Sequence, residues 1–483
     1  MITAYIILSA FLMIMILTFR SHRLMSAASA LNFFAALIVG ILYLNTSSLP
    51  AVFMKGYLYA DHLSLYEVII SALIFFAAAL YAGGYIEQLV GKGEVERGNL
   101  KMFYFCLNIL FYAVVLAFLS NNIALFWIFL ELTTFFSAVL IAIPNARENI
   151  IAALNYILIA STSMLFSLIG IILLFALSKH ALGPGTLNWS TLMDNAALLP
   201  KTMIALPMIF MFIGFGAKAG IAPFHTWLPQ AHSKAPSVVS AILSGVLLNV
   251  GLYGMLRMFA LAKAASSANV LSVIFIVFGM ISIGLAAFTM FSKKNIKKLI
   301  AFSSVENAGF MLLGIGIGTP AAIFWTLFHT LAHSISKALM FFSAGMIHNQ
   351  YDSVNINDTK NAIKTQPLAV TGLLVGGLSV IGAPLLPIFM SKLMILIQLA
   401  RISKVLMILL VLLFMLAASA FAYVFSGMLT NVTENAEAME KVKPSFLMKV
   451  SVIFFIILLF LIGIRFPDSL GGLFNTIIAE LKL

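Results

Sequence analysis

The sequence predicts an all-α integral membrane protein of about fourteen transmembrane helices, with helices 7 and 12 broken and an internal inverted repeat. Three observations lead there. Of 483 residues, 62% are apolar and only 9% are charged, whereas soluble domains carry about 25% charged residues. The apolar residues fall in long runs without alternation, each near the roughly 20 residues that a helix needs to cross a bilayer. Two of those runs are interrupted by glycine and proline close to a lysine, in "GAKAGIAPFHTWLP" (216–229) and "VIGAPLLPIFMSKLMILI" (380–397).

Taken in order, the candidate spans are 2–19, 24–44, 62–82, 102–119, 121–141, 150–177, 202–222, 237–260, 268–290, 298–318, 320–347, 368–400, 404–429 and 447–465. Only helices and closed barrels satisfy the backbone in lipid, and runs of this length read as helices. The first, "AYIILSAFLMIMILTF", meets "RSHR" with no small-residue cleavage motif and reads as a retained helix, not a signal peptide. Cys106 is the single cysteine, which excludes an intrachain disulfide and a cysteine-rich metal centre. The net charge of +12 does not imply nucleic acid, because basic residues of a membrane protein mainly report topology. Loops after odd-numbered spans hold sixteen Lys and Arg, among them Lys297, Lys360 and Lys441; loops after even-numbered spans and the tail hold nine, among them Arg257. The positive-inside rule then puts both termini outside the cytoplasm, with "FSKKNIKKL" as the clearest cytoplasmic loop.

Charges left inside the spans carry the functional reading. Among them are Lys218, Lys337, Lys392, Glu131 and Glu306, with His329 and His333 beside them. Each central charge costs about 2.5–3.5 kcal/mol on insertion scales, so each should face a partner or a wet cavity. His329, His333 and Lys337 are spaced i, i+4, i+8, which stacks them on one helix face. Such a ladder suits proton transfer, which needs groups within hydrogen-bond reach or one water apart. The plainer alternative is that these histidines only join helices. Metal ligation is disfavoured, because no carboxylate accompanies them and Lys337 repels a cation. Glu131 and Lys218 are opposite charges on different spans and could pair. At 4 Å and an effective dielectric near 20 such a pair gains about 4 kcal/mol, and a lysine with a movable partner is a proton switch. The alternative is a static bridge.

Broken helices at membrane depth are tolerated where they line a cavity or lie buried in protein. Two of them, each with a lysine and five spans apart, suggest a repeat. An odd offset inverts the second unit, which is a transporter signature. Ordinary proline kinks are the alternative.

The stretches "GFGAKAGIAPFHTWLPQAHSKAPSVVSAILSGVLLNVGLYGMLR", "LIAFSSVENAGFMLLGIG" and "LFHTLAHSISKALMFFSAG" resemble the antiporter-like subunits shared by respiratory complex I, Mrp cation/proton antiporters and membrane-bound energy-converting hydrogenases. The likeness covers roughly 60–465 and looks closest to the hydrogenase branch. It implies N-terminal helices 1–3 in residues 1–101, one five-helix unit in 102–260, an inverted unit in 268–429, and a C-terminal helix in 447–483. It also implies a hydrated midplane axis, with Glu131 and Lys218 coupled in the first unit, His329, His333 and Lys337 on the connecting helix, and Lys392 in the second broken helix. Asn249 stands where many relatives carry a lysine, and it cannot hold a proton at pH 7. His225 or His232 with water could bridge that gap.

The expected function is proton translocation, with or without sodium exchange, in a multi-subunit redox-driven complex of the prokaryotic cytoplasmic membrane. Glu131, Lys218, His225, His232, Asn249, Glu306, His329, His333, Lys337 and Lys392 are its candidate residues. No nucleotide, haem or iron–sulfur motif occurs, so no cofactor or metal is expected and electron chemistry falls to partner subunits. The expected partners are other membrane subunits, peripheral redox subunits reached through them, lipid, and protons or sodium, but not nucleic acid. A stand-alone solute transporter and an inactive scaffold are the alternatives; the second is motivated by Asn249.

Overall fold

A computed structural model describes residues 2–46, 48–359, 361–430 and 442–483. Lys360 and Lys441, counted above for orientation, lie outside the described residues. The chain is a helical bundle with one two-stranded antiparallel hairpin, in which Ala51–Phe53 pairs with Leu58–Ala60. Every apolar window holds a helix. Ten are long and apolar enough to cross a membrane among the described residues, and Ile7–Thr18, Ala205–Lys218 and Pro367–Ile381 are shorter apolar helices.

Burial sorts the helices into a centre and a rim. Ser237–Ala264 and Ile296–Ile317 are wholly surrounded by protein, and His62–Gly91 nearly so. Pro320–Tyr351 is also buried along almost its whole length, although its two histidines, lysine and many hydroxyls make it less apolar than its neighbours. His22–Thr46, Lys404–Leu429 and Phe446–Ile464 lie at the rim and present leucine, isoleucine and phenylalanine outward. Large apolar groups facing outward mean that the surrounding medium is lipid.

Both predicted breaks are present. Ala205–Lys218 ends at Ala219, and the chain passes through Gly220 at φ 73° and a cis Ala222–Pro223 bond into Trp227–Lys234. Gly220 is required twice: its φ is positive, and a Cβ there would come within 2.5 Å of the Leu228 side chain. The second window, 368–400, divides into Pro367–Ile381 and Pro387–Ile402, separated by Gly382 at φ 85° and Leu385 at φ 71°.

Three features depart from the sequence reading. Arg257 and Lys297, assigned to loops, are buried within helices. Without them the loop count is fifteen against eight. The C-terminal tail contains an amphipathic helix, Asp468–Glu480, whose Phe474 packs edge-on against Tyr66. It is tied to the start of His62–Gly91 by Glu480 and His62 at 2.6 Å. The helix carrying Asn249 contains one π-type turn, Leu243–Leu247, a deformation that often marks functional sites.

A candidate row of buried charged groups

Lys218 is the last residue of its half-helix, so its ammonium sits at the negative end of the helix dipole. It is 1% exposed and donates to Thr134 Oγ1 at 2.8 Å and to Tyr156 Oη at 3.0 Å. Tyr156 in turn meets Ser137 at 3.0 Å. The expected Glu131–Lys218 ion pair does not form. Glu131 instead accepts from Ser161 at 2.9 Å, and its other carboxyl oxygen has no protein partner. A cavity of about 310 Å³, lined by Glu131, Thr134, Ser161 and Trp127, runs from the carboxylate to Thr134. The two charges therefore meet neither in a contact nor in one pocket; Thr134, which lines the cavity and accepts from Lys218, is the residue they have in common. Helix spacing alone could not show that Thr134, one turn from Glu131, takes the lysine.

The second half is more tightly wired. Lys392 lies in the first turns of Pro387–Ile402, where the dipole disfavours a cation. Glu306 offsets this with a 2.8 Å ion pair, both groups being buried, and the ammonium also lies 4.0 Å above the Phe414 ring. Asn307 donates to Glu306 at 3.3 Å and meets His329 Nε2 at 3.0 Å. His329 Nδ1 meets Ser391 Oγ at 2.9 Å. The His329 and His333 rings are nearly parallel with centroids 6.4 Å apart, as their four-residue spacing implies. Lys337 donates to Ser303 Oγ and to the Ile300 carbonyl. Glu306 and Lys392 were both singled out from sequence, but not as a pair.

Between these halves lie His225, His232 and Asn249. Asn249 donates to Ser334 on the histidine helix at 3.0 Å, and its Oδ1 has no protein partner. Neither His225 nor His232 hydrogen-bonds to it. His232 is fully buried, stacks on Phe341 and leaves both ring nitrogens unpartnered, as does His333. His225 packs edge-on against Phe302 with Nδ1 unpartnered. Buried polar atoms without protein partners are the places where ordered water sits.

Sequence reasoning missed three charged groups. Asp61 and Arg257 form a buried ion pair at 2.7 Å at one end of the bundle. Burial opposes ionisation of Asp61, but the guanidinium and the hydrogen bonds from Ser64 outweigh it and hold the carboxyl below its usual range. Glu67, inside a predicted span, is 4% exposed with an unpartnered Oε2. At the opposite end, a cavity of about 420 Å³ is lined by Glu94, Lys297, His348 and Asp352. Burial pushes the Glu94 carboxyl up, against the pull of Lys92 and Lys297. Lys297 there donates to the Ala235 carbonyl at 3.0 Å. No group of His, Cys, Asp and Glu able to hold a metal ion occurs among the described residues.

Residues 120–417, which contain nearly all of this row, match the family model described as NADH:quinone oxidoreductase/Mrp antiporter, TM. The chain belongs to that family. It is 30% identical over 399 residues to the Hydrogenase-4 component F homolog of Methylacidiphilum infernorum, covering 82% of this chain and 83% of that protein. Its fold is shared with a chain of the archaeal membrane-bound sulfane sulfur reductase, with a TM-score of 0.86 at 21% identity over 99% of this chain and 96% of that one. A chain of respiratory complex I from Thermus thermophilus gives a TM-score of 0.80 at 19% identity over 100% and 99%. The chain is thus an antiporter-like, multi-pass membrane subunit, as its motifs suggested.

Proposed function

We propose that this subunit moves protons along its buried charged row, with exchange for sodium as a variant of the same path. It does so within a multi-subunit redox-driven complex of the prokaryotic cytoplasmic membrane. The observation that carries the proposal is the linked set Lys392–Glu306–Asn307–His329, with His333 and Lys337 continuing on the same helix. A static core would gain nothing from such a set. Replacing a buried ion pair by well-packed apolar residues is often neutral or stabilising. The polar groups also extend along a line through several helices, which suits relay between neighbours better than one solute pocket.

Named groups take stated roles. Lys392 and Lys218 hold protons whose release depends on their partners, Glu306 in one case and the Thr134–Tyr156 hydroxyls in the other. Glu131, one turn from the Thr134 that Lys218 bonds, attracts that ammonium when a rearrangement brings the two together. His329 and His333 pass protons between the halves, and Asn249 with His225 and His232 orders water at the junction. The two inverted units, 102–260 and 268–429, and both termini outside the cytoplasm, belong to the same proposal. Electron transfer is assigned to partner subunits, and membrane subunits like those of the structurally similar complexes are the expected neighbours.

The test is Lys218→Met in the assembled complex. Proton movement should be abolished while assembly and electron transfer survive. Normal coupled pumping in that variant removes Lys218 from the mechanism.

A further inference from the structure

The histidine row has no titratable outlet at Asn249, yet a carboxyl stands one helix away. We propose that Glu67 carries protons between the His333–Asn249 junction and the cavity beneath the Asp61–Arg257 pair. This rests on the pump reading and names a residue and a branch that it lacks.

Three registers place Glu67. His62–Gly91 runs alongside Pro320–Tyr351 at a constant offset: Tyr66 Oη donates to the Leu327 carbonyl at 2.7 Å, and Tyr81 Oη donates to the Phe342 carbonyl at 2.6 Å. Glu67 therefore lies level with Phe328, about one and a half turns before His333 along that helix. On its other side, Asp61 meets Arg257 and Ile74 lies against Gly245, so His62–Gly91 and Ser237–Ala264 run in opposite directions. Interpolated between those two contacts, Glu67 lies level with the turn that holds Asn249 and Tyr253. Asn249 closes the wedge by donating to Ser334.

Free valences lie on all three of these helices. Glu67 Oε2, Asn249 Oδ1 and both His333 ring nitrogens are buried without protein partners. Ser71 bonds to the backbone carbonyl of Glu67 and not to its carboxyl. A carboxyl held only to fasten helices would have a donor, because an unpartnered buried acceptor costs about 1–3 kcal/mol. Towards the surface, Tyr253 Oη accepts from Arg257 at 2.9 Å and donates to the Phe118 carbonyl at 2.7 Å. Arg257 and Asp61 line a cavity of about 270 Å³. Arg257 Nε and Trp189 Nε1, on residues that line the same cavity, are also buried and unpartnered. The proton balance is simple: the Glu67 carboxylate takes a proton from water at the His333–Asn249 junction, becomes neutral, and returns it to water under Arg257.

Glu67→Gln keeps the shape and removes the titratable oxygen. In everted vesicles driven by the complex's own electron donor, dye-reported proton movement should fall at least about a hundredfold, the low end for a lost proton-transfer group, with electron transfer measured in parallel. Glu67→Gln/Asn249→Asp, which moves the carboxyl across the wedge, should recover most of that loss. A redox-induced infrared carboxyl band should vanish in Glu67→Gln, which a purely structural role would not cause. Native proton movement and an unchanged band in Glu67→Gln, in vesicles where Lys392→Met is inactive, overturn the proposal and leave the pump reading standing. If Lys392→Met also pumps normally, both fail. If Glu67→Gln does not assemble, Glu67→Asp decides: retained movement supports the carboxyl, and a loss of about a hundredfold in an assembled complex rejects it.

Discussion

Lysine 392 offers the sharpest measurement, because its partner is fully buried. The Lys392–Glu306 pair spans 2.8 Å with side chains 6% and 0% exposed. At an effective dielectric near 20 the attraction is about 6 kcal/mol, against which stand the desolvation costs of both ions. Lys392→Met removes the attraction and leaves a carboxylate in the interior, a loss that costs about 3–5 kcal/mol in buried pairs. Glu306→Gln/Lys392→Met removes both charges and should regain most of that cost. The assay is thermal unfolding of the purified complex with proton movement recorded on the same preparations. The expected order of stability is native near the double variant, with Lys392→Met clearly lowest and both variants inactive in pumping. If Lys392→Met melts with the native protein, or the double variant is no more stable than the single, then Glu306 is not an ionised partner and the wired row loses its anchor.

Other expectations are more local. Thr134→Val should weaken Lys218 retention by about 1.5–3 kcal/mol, the usual worth of a hydrogen bond to a charged group, seen as slowed proton movement without loss of assembly. Gly251→Ala should lower the melting temperature, because its Cβ would come within 2.6 Å of the Phe215 carbonyl and press on the broken helix; such overpacking costs about 1–3 kcal/mol. Asp61 has a folded-state pKa below its unfolded value, so its contribution is complete above the ordinary carboxylate range near 4 and is lost as pH falls through the lowered value. Acid melting curves should show this loss in the native protein and not in Asp61→Asn, whose stability should also be lower at neutral pH. An Asp61→Asn protein equal to native at pH 7 would mean the pair stabilises nothing.

Much of the architecture was legible because it is local. Apolar runs of fixed length gave the helices, and "GAKAGIAP" and "GAPLLP" gave both breaks. The four-residue spacing of His329, His333 and Lys337 gave one face, and the near-parallel histidine rings keep to it. What failed was inference across helices. Opposite charge suggested Glu131 for Lys218, but the packing of Ile123–Ala142 against Arg147–Leu182 hands the ammonium to Thr134 and Tyr156. Arg257 and Lys297 looked like loop charges because they sit near span ends, where a long side chain can reach water. Glu67 is a carboxylate within a span, but nothing nearby in sequence completes a pattern with it.

By itself the sequence determined the solvent, the helices, the positions of the breaks and the set of groups that must be shielded from lipid, since composition and period act within a single turn or span. Tertiary structure alone decided which carboxylate holds which cation, which histidines keep free nitrogens, and that Glu67 stands level with the turn of Asn249. Those choices depend on how separate helices rotate and slide against one another, and no spacing along one chain segment encodes that.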